Sequence, residues 1–143
     1  MRRKGLAVNR LLWILQALLA AVFLFSGLVK LLVPVDLMQQ QLPFPAALIY
    51  LIGTLETLGA LGLLLPSLLR IRPALTPLAA SGLAVLMACA TLMTPLYFGE
   101  SVASALLPFG LGILAAFVAY GRARRAPIAP RRPTADVLNL AAR

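Results

Sequence analysis

A chain of 143 residues that is 62% hydrophobic and only 12% charged holds more apolar side chain than a soluble domain of that size can bury, because roughly a third of the surface would still face water. It reads as an integral membrane protein. The net charge of +9 does not point to nucleic acid: the basic residues flank apolar runs, where membrane topology accounts for them, and no basic–aromatic module accompanies them.

Residues 1–10 form a basic lead ahead of a long apolar run. Together they imitate a signal peptide, but the run continues to Pro34, beyond the roughly 7–15 residues of a signal core, and no small-x-small cleavage site ends it. The expectation is a retained transmembrane helix over about residues 11–33, with Phe23, Gly27 and Lys30 at i, i+4 and i+7 on one face. Pro34 and Asp36 stop it, and Val35–Phe44 reads as a polar, glutamine-rich loop. Pro45 suits the first turn of a second span, over about residues 46–65, which Pro66 ends. A connection carrying Arg70 and Arg72 follows, and Pro73 opens a third span over about residues 74–96. There Ala80, Ala84 and Ala88 recur every four positions, a ridge that lets a neighbouring helix approach closely. Pro95 and Gly99 end this span, Glu100 sits in the next loop, and the fourth span covers about residues 102–120, bent by Pro108. Residues 121–143, rich in arginine and proline, read as a disordered basic tail.

The second span is where the polar chemistry concentrates. Its run Leu51–Leu65 contains one carboxylate, Glu56, among Gly53, Gly59 and Gly62. A carboxylate at bilayer depth costs several kcal/mol unless it is paired, protonated or facing a wet cavity. At a rise of 1.5 Å per residue, Lys30 lies about 28 Å above the start of the first span, and Glu56 about 15 Å below the start of the second, a depth difference of about 13 Å. Side chains lean toward their helix N-terminus, so in antiparallel helices Lys30 leans down and Glu56 leans up. That closes most of the gap and leaves a direct pair or one bridging group, with the Ser26 and Thr57 hydroxyls at hand. Two plainer readings stand beside this one. Lys30 also suits a snorkelling anchor at the headgroups, and Glu56 a hydrogen-bonded structural residue. Gly27, Gly53, Gly59 and Gly62 read as close-packing positions, Cys89 as a packing residue among small neighbours, and Trp13 and Tyr97 as interfacial belt residues.

What is missing limits the chemistry further. The chain has no histidine, which excludes His-ligated haem, imidazole metal sites and His general bases. The single cysteine, Cys89, excludes an internal disulfide and a CxxC pair, and no phosphate loop or dinucleotide fingerprint is present. The reading is therefore no metal and no intrinsic cofactor.

Phe-x-Phe-Ser-Gly-x-x-Lys-Leu at residues 23–31, followed by a proline-bounded loop and Leu-Ile-Gly-Thr-Leu-Glu-Thr-Leu-Gly-Ala-Leu-Gly-Leu at residues 51–63, resembles the DoxX-like family of small four-helix membrane proteins. The resemblance covers about residues 10–120. It implies Gly27, Lys30, Gly53, Glu56 and Gly59 as the polar core. It also implies a membrane subunit associated with a redox system, such as thiosulfate-to-quinone oxidation or a membrane-anchored oxidative-stress complex. Relatives carry a histidine late in the third helix, where this chain has Thr94 and then Pro95, so a role resting on that histidine does not carry over.

Three functions follow as expectations. The first is an accessory redox subunit, anchoring a redox enzyme and sheltering a quinone between Lys30, which would orient a carbonyl, and Glu56, which would exchange protons. The second is a small proton-coupled transporter. Small multidrug exporters, however, place their essential acid in the first helix and show weak charge bias, whereas this chain places it in the second with a strong bias. The third is a scaffold without a ligand, alone or as a homo-oligomer, in which the pair only fixes packing register. No catalytic residue is assigned.

The fold expected is all-α, a four-transmembrane-helix bundle in the cell membrane with both termini cytoplasmic. Twelve of the thirteen Lys and Arg residues fall on one side, in the lead, the second connection and the tail, while the other two connections carry only Asp36 and Glu100. The positive-inside rule sets the orientation. Reporter fusions after residues 38, 70, 99 and 125 are expected to read outside, inside, outside and inside; a cytoplasmic signal at residue 38 would overturn this topology.

Overall fold

The computed structural model describes residues 2–42, 44–69, 71–72, 74–97 and 101–129. Arg70, Pro73, Gly99, Glu100 and the tail beyond residue 129, all assigned above, lie outside the described residues, as do the side chains of residues 2–5 and Tyr97. Among the described residues five α-helices are present: α1 (Arg2–Leu32), α2 (Val35–Gln41), α3 (Ala46–Leu69), α4 (Leu75–Tyr97) and α5 (Leu106–Tyr120). A 3-10 turn, Val102–Ala105, leads into α5, and a wider turn, Gly121–Arg125, continues it. Four helical segments are long and apolar enough to cross a membrane: Leu6–Leu32, Ala46–Leu69, Leu75–Leu96 and Val102–Arg125. Among the described residues the expected all-helical, four-span architecture is what the chain forms.

The long helices pack in chain order, α1 along α3, α3 along α4 and α4 along α5, with α5 returning to α1. The buried stripe of α1 is Leu12, Gln16, Leu19, Phe23 and Gly27. That of α3 is Ile49, Gly53, Glu56, Ala60, Leu63 and Ser67. Both repeat at steps of three and four, as a packed helix face requires. Leu83, Met87, Ala115 and Val118 complete the core. Ile14, Phe25, Leu32, Leu58, Leu78, Val85 and Leu96 point outward and are more than half exposed. Such an outer surface is at home in lipid rather than water.

The α1–α3 contact is close enough that backbones meet. A Cβ on Gly27 would lie 2.8 Å from the Gly53 carbonyl and 2.9 Å from the Thr57 nitrogen, and one on Gly53 would lie 2.9 Å from the Lys30 Cβ. These two glycines set the helix separation, as expected of packing positions. Gly59 meets Leu83 and Gly62 meets Ala79 across the α3–α4 contact. In the small-residue stripe, Ala80 is fully buried, while Ala84 and Ala88 present backbone to Gly112 of α5.

Several boundaries differ from the sequence reading, each for a physical reason. Residues 35–41 form α2 rather than a loop: Pro34 caps it with extended backbone (φ −51°, ψ 131°) and Asp36 occupies its first turn, where an acidic side chain meets the positive helix end. Pro66 does not end α3, which continues to Leu69 with Pro66 inside it. Gln16 donates to the Leu63 carbonyl at 2.7 Å, tying α1 to α3 one residue after Gly62, whose carbonyl loses its helical donor to the proline. Pro95 likewise lies within the last turn of α4. Pro108 is the third residue of α5, in the first turn, where its missing N–H removes no α-helical donor. Finally, residues 121–125 continue the fourth span instead of opening the tail. Ala126 N–H closes on the Gly121 carbonyl at 2.8 Å.

Candidate functional site

Lys30 and Glu56 make direct contact. The ammonium lies 2.8 Å from Oε2 of Glu56, and the two side chains are 16% and 5% exposed. Lys30 also donates to the Ser26 hydroxyl at 2.6 Å, which donates in turn to the same Oε2 at 3.0 Å. Ser26 stands one helical turn before Lys30, so a single face of α1 delivers both donors. The Gly27–Gly53 approach brings that face onto α3. The opposed lean of the two side chains, read from the sequence, therefore closes the gap completely. Lys30 is a paired residue, not a snorkelling anchor. Two expectations need correction. Thr57 does not bridge the pair: its hydroxyl bonds its own helix at the Gly53 carbonyl, 2.8 Å away. Nor is there room for a head group between Lys30 and Glu56, since they touch.

The pair is open on another side. A cavity of about 440 Å³ lies against it, walled by Ile49 and Ile52 of α3, Ala90, Met93 and Thr94 of α4, and Phe44 of the α2–α3 connection. Lys30 and Glu56 both line it. Both hydrogen bonds from α1 converge on Oε2 of Glu56, and no described residue donates to Oε1. An ammonium has three donor hydrogens, and Lys30 gives two of them to Ser26 and Glu56. The cavity thus offers a molecule one further donor and one further acceptor within apolar walls. Thr94, standing where a histidine was expected from the resemblance, faces this cavity, while its hydroxyl bonds the Ala90 carbonyl at 2.9 Å. Cys89 is exposed on the same edge rather than packed among small residues, because α4 turns that side toward lipid.

A second polar cluster, at the opposite end of the bundle, was not read from the sequence. Gln16 of α1 is fully buried and donates to Leu63 and Ser67 of α3. Ser67 meets Thr76 of α4 at 2.7 Å. Arg122, 3% exposed, donates through Nε to Gln16 Oε1 and through Nη1 to Asn9 at 2.7 Å and the Ala126 carbonyl at 3.3 Å. The guanidinium also lies 5.1 Å from the Trp13 ring, a cation–π contact that gives Trp13 a role beyond an interfacial belt. Nη2 is buried with no hydrogen-bond partner among the described residues. All four spans thus contribute to one network, with no described carboxylate in it. One signal was available: Gln16 shares the face of Phe23, Gly27 and Lys30. Arg122 was hidden by the change of composition after Tyr120.

Together these features define a small multi-pass helical membrane protein with a buried ion pair beside an apolar cavity. The chain belongs to the DoxX-like family, whose sequence model matches residues 14–118. That span includes both motif segments and ends just before Arg122. No curated protein and no solved structure matches the chain.

The Arg122 network depends on its acceptors, because a buried guanidinium that loses one is left with an uncompensated charge. Gln16→Leu is expected to destabilise the protein by about 1–3 kcal/mol in thermal unfolding in mild detergent. Gln16→Leu combined with Arg122→Met is expected to be less harmful than Gln16→Leu alone. A single substitution without effect would show that the network does not hold the spans together.

Proposed function

We propose that this DoxX-like protein is an accessory, anchoring subunit of a membrane redox system, and that its cavity receives a quinone head group against the Lys30–Glu56 pair. One observation carries the reading: a membrane-embedded, mostly apolar cavity has on its wall an ammonium with a hydrogen to give and a carboxylate oxygen with none to receive. Ligand sites of this kind combine apolar walls with a few converging polar groups. A quinone carbonyl accepts a hydrogen bond from Lys30. Glu56, ionised in the pair, can take up a proton on its free oxygen and pass it to a quinone oxygen as an electron arrives. The electrons come from a partner subunit, since the chain has no histidine and only one cysteine to hold a redox centre. The distribution of basic residues supports insertion in a cell membrane with both termini in the cytoplasm.

A ligand that binds only the folded protein raises its melting temperature with concentration. A quinone with a truncated tail is expected to stabilise the wild-type protein in mild detergent. Ala90→Phe, which places a ring in the cavity and leaves both members of the ion pair unsubstituted, is expected to abolish that shift. A wild-type melting temperature that does not respond to quinone would contradict the proposal.

A further inference from the structure

Arg122 is a buried cation whose partners are all neutral. It is 3% exposed, and it donates to the Gln16 amide oxygen, to the Asn9 amide oxygen at 2.7 Å and to the Ala126 carbonyl at 3.3 Å. Nη2 is buried with no hydrogen-bond partner among the described residues. The described carboxylates are elsewhere: Asp36 lies in α2, and Glu56 is paired with Lys30 toward the other end of the bundle. A guanidinium taken out of water and given only neutral partners is left with an uncompensated charge.

The guanidinium sits at the level where apolar surface gives way to charge. On α1, Leu6, Leu11 and Ile14 are exposed beside an exposed Arg10. At the end of the fourth span, exposed Tyr120 is followed by exposed Arg124 and Arg125, and the Arg125 guanidinium lies 6.0 Å from the Tyr120 ring. The Trp13 ring, 5.1 Å from the Arg122 guanidinium, marks the same boundary, since indole rings settle at headgroup level. The cover over Arg122 is thin. Asn9 and Ala126 are only half-buried, and the bond to the Ala126 carbonyl is longer than the bond to Asn9.

We infer that Arg122 is the centre of a binding site for the phosphate of an anionic phospholipid. One phosphate oxygen takes the place of the Ala126 carbonyl on Nη1 and a second accepts from Nη2, because the planar guanidinium presents paired donors that match a phosphate. Basic pockets between membrane helices hold anionic headgroups in this way. The exposed arginines belong to the topology and add only an attraction that salt screens; the buried guanidinium is what holds the headgroup. The site borders lipid-exposed apolar side chains, which the acyl chains of a lipid cover and a free phosphate ion does not. It lies at the end of the bundle opposite the Lys30–Glu56 cavity and does not depend on what that cavity receives.

The test uses the full chain in vesicles of phosphatidylglycerol and phosphatidylcholine in equal amounts, with matched acyl chains. The protein is extracted in mild detergent and washed at about 1 M salt, where charges are screened over about 3 Å and lipid held only at exposed arginines is released. Retained phospholipid is measured by mass spectrometry. The wild-type protein is expected to retain phosphatidylglycerol about fivefold over phosphatidylcholine. Arg122→Gln, which keeps a hydrogen-bonding amide and loses the charge, is expected to abolish the preference, and Arg124→Gln to leave it intact. A second measurement needs no variant to fold: phosphatidylglycerol is expected to raise the wild-type melting temperature in mild detergent, and phosphatidylcholine or inorganic phosphate at the same concentration is not. Equal retention of both lipids by the wild-type protein, or an unchanged preference in Arg122→Gln, would overturn the site. An equal rise with inorganic phosphate would overturn the lipid as its ligand. A preference absent from the wild-type protein but present in Asp136→Asn would show that the one acidic residue after Arg122 in the sequence takes the guanidinium instead.

Discussion

A charge inside a bilayer must find its partner inside the protein, and Glu56 is the charge around which this bundle is arranged. Its partner, Lys30, lies on the antiparallel neighbour and reaches it at 2.8 Å only because α1 and α3 approach at Gly27 and Gly53. A larger residue at either position would drive the helices apart and leave two costly groups exposed to hydrocarbon. Packing and electrostatics are therefore one constraint here. The glycines have their meaning through the ion pair, and the pair is affordable through the glycines.

The two polar clusters at opposite ends of the bundle are built differently. The Lys30–Glu56 pair engages only α1 and α3, and it borders an apolar cavity whose other wall comes from α4. The Arg122 cluster draws on all four spans, Gln16 and Asn9 from α1, Ser67 from α3, Thr76 from α4 and Arg122 itself after α5. The first cluster keeps hydrogen-bonding capacity free on a side that a molecule can reach. In the second, Gln16, Ser67 and Thr76 are all satisfied by one another, and only Nη2 of Arg122 is left over, itself buried. This division sets a pair with open hydrogen-bonding capacity beside a cavity at one end against a network that ties the helices together at the other.

Much of this was legible in the sequence because bilayer physics leaves few choices. Four apolar runs bounded by proline and basic residues become four spanning helices, and two isolated charges with converging side-chain lean become a pair. What stayed hidden depended on partners distant along the chain. Pro66 reads as a stop, yet the helix continues with Gln16 bonded to the carbonyl three residues earlier. Arg122 reads as the first residue of a basic tail, yet it folds back over Trp13 and onto Gln16. The glutamines and arginines after Pro34 and Tyr120 look alike as polar composition. Only tertiary contacts separate a short surface helix from a buried clamp. Thr57 stays out of the pair for the opposite reason, since a hydroxyl within a helix has its own backbone carbonyl four residues back as the nearer acceptor.

The central claim is that Lys30 and Glu56 act as one unit, and a double-mutant cycle measures that directly. The cycle consists of the thermal stabilities in mild detergent of the wild-type protein, Lys30→Met, Glu56→Gln and the combined variant. Removing one partner strands the other, so each single substitution should cost more than its share of the double. The account predicts a coupling of about 1 kcal/mol, the scale that polar pairs reach within membranes. Single effects that simply add would show that the two side chains, though in contact, do not hold each other in place.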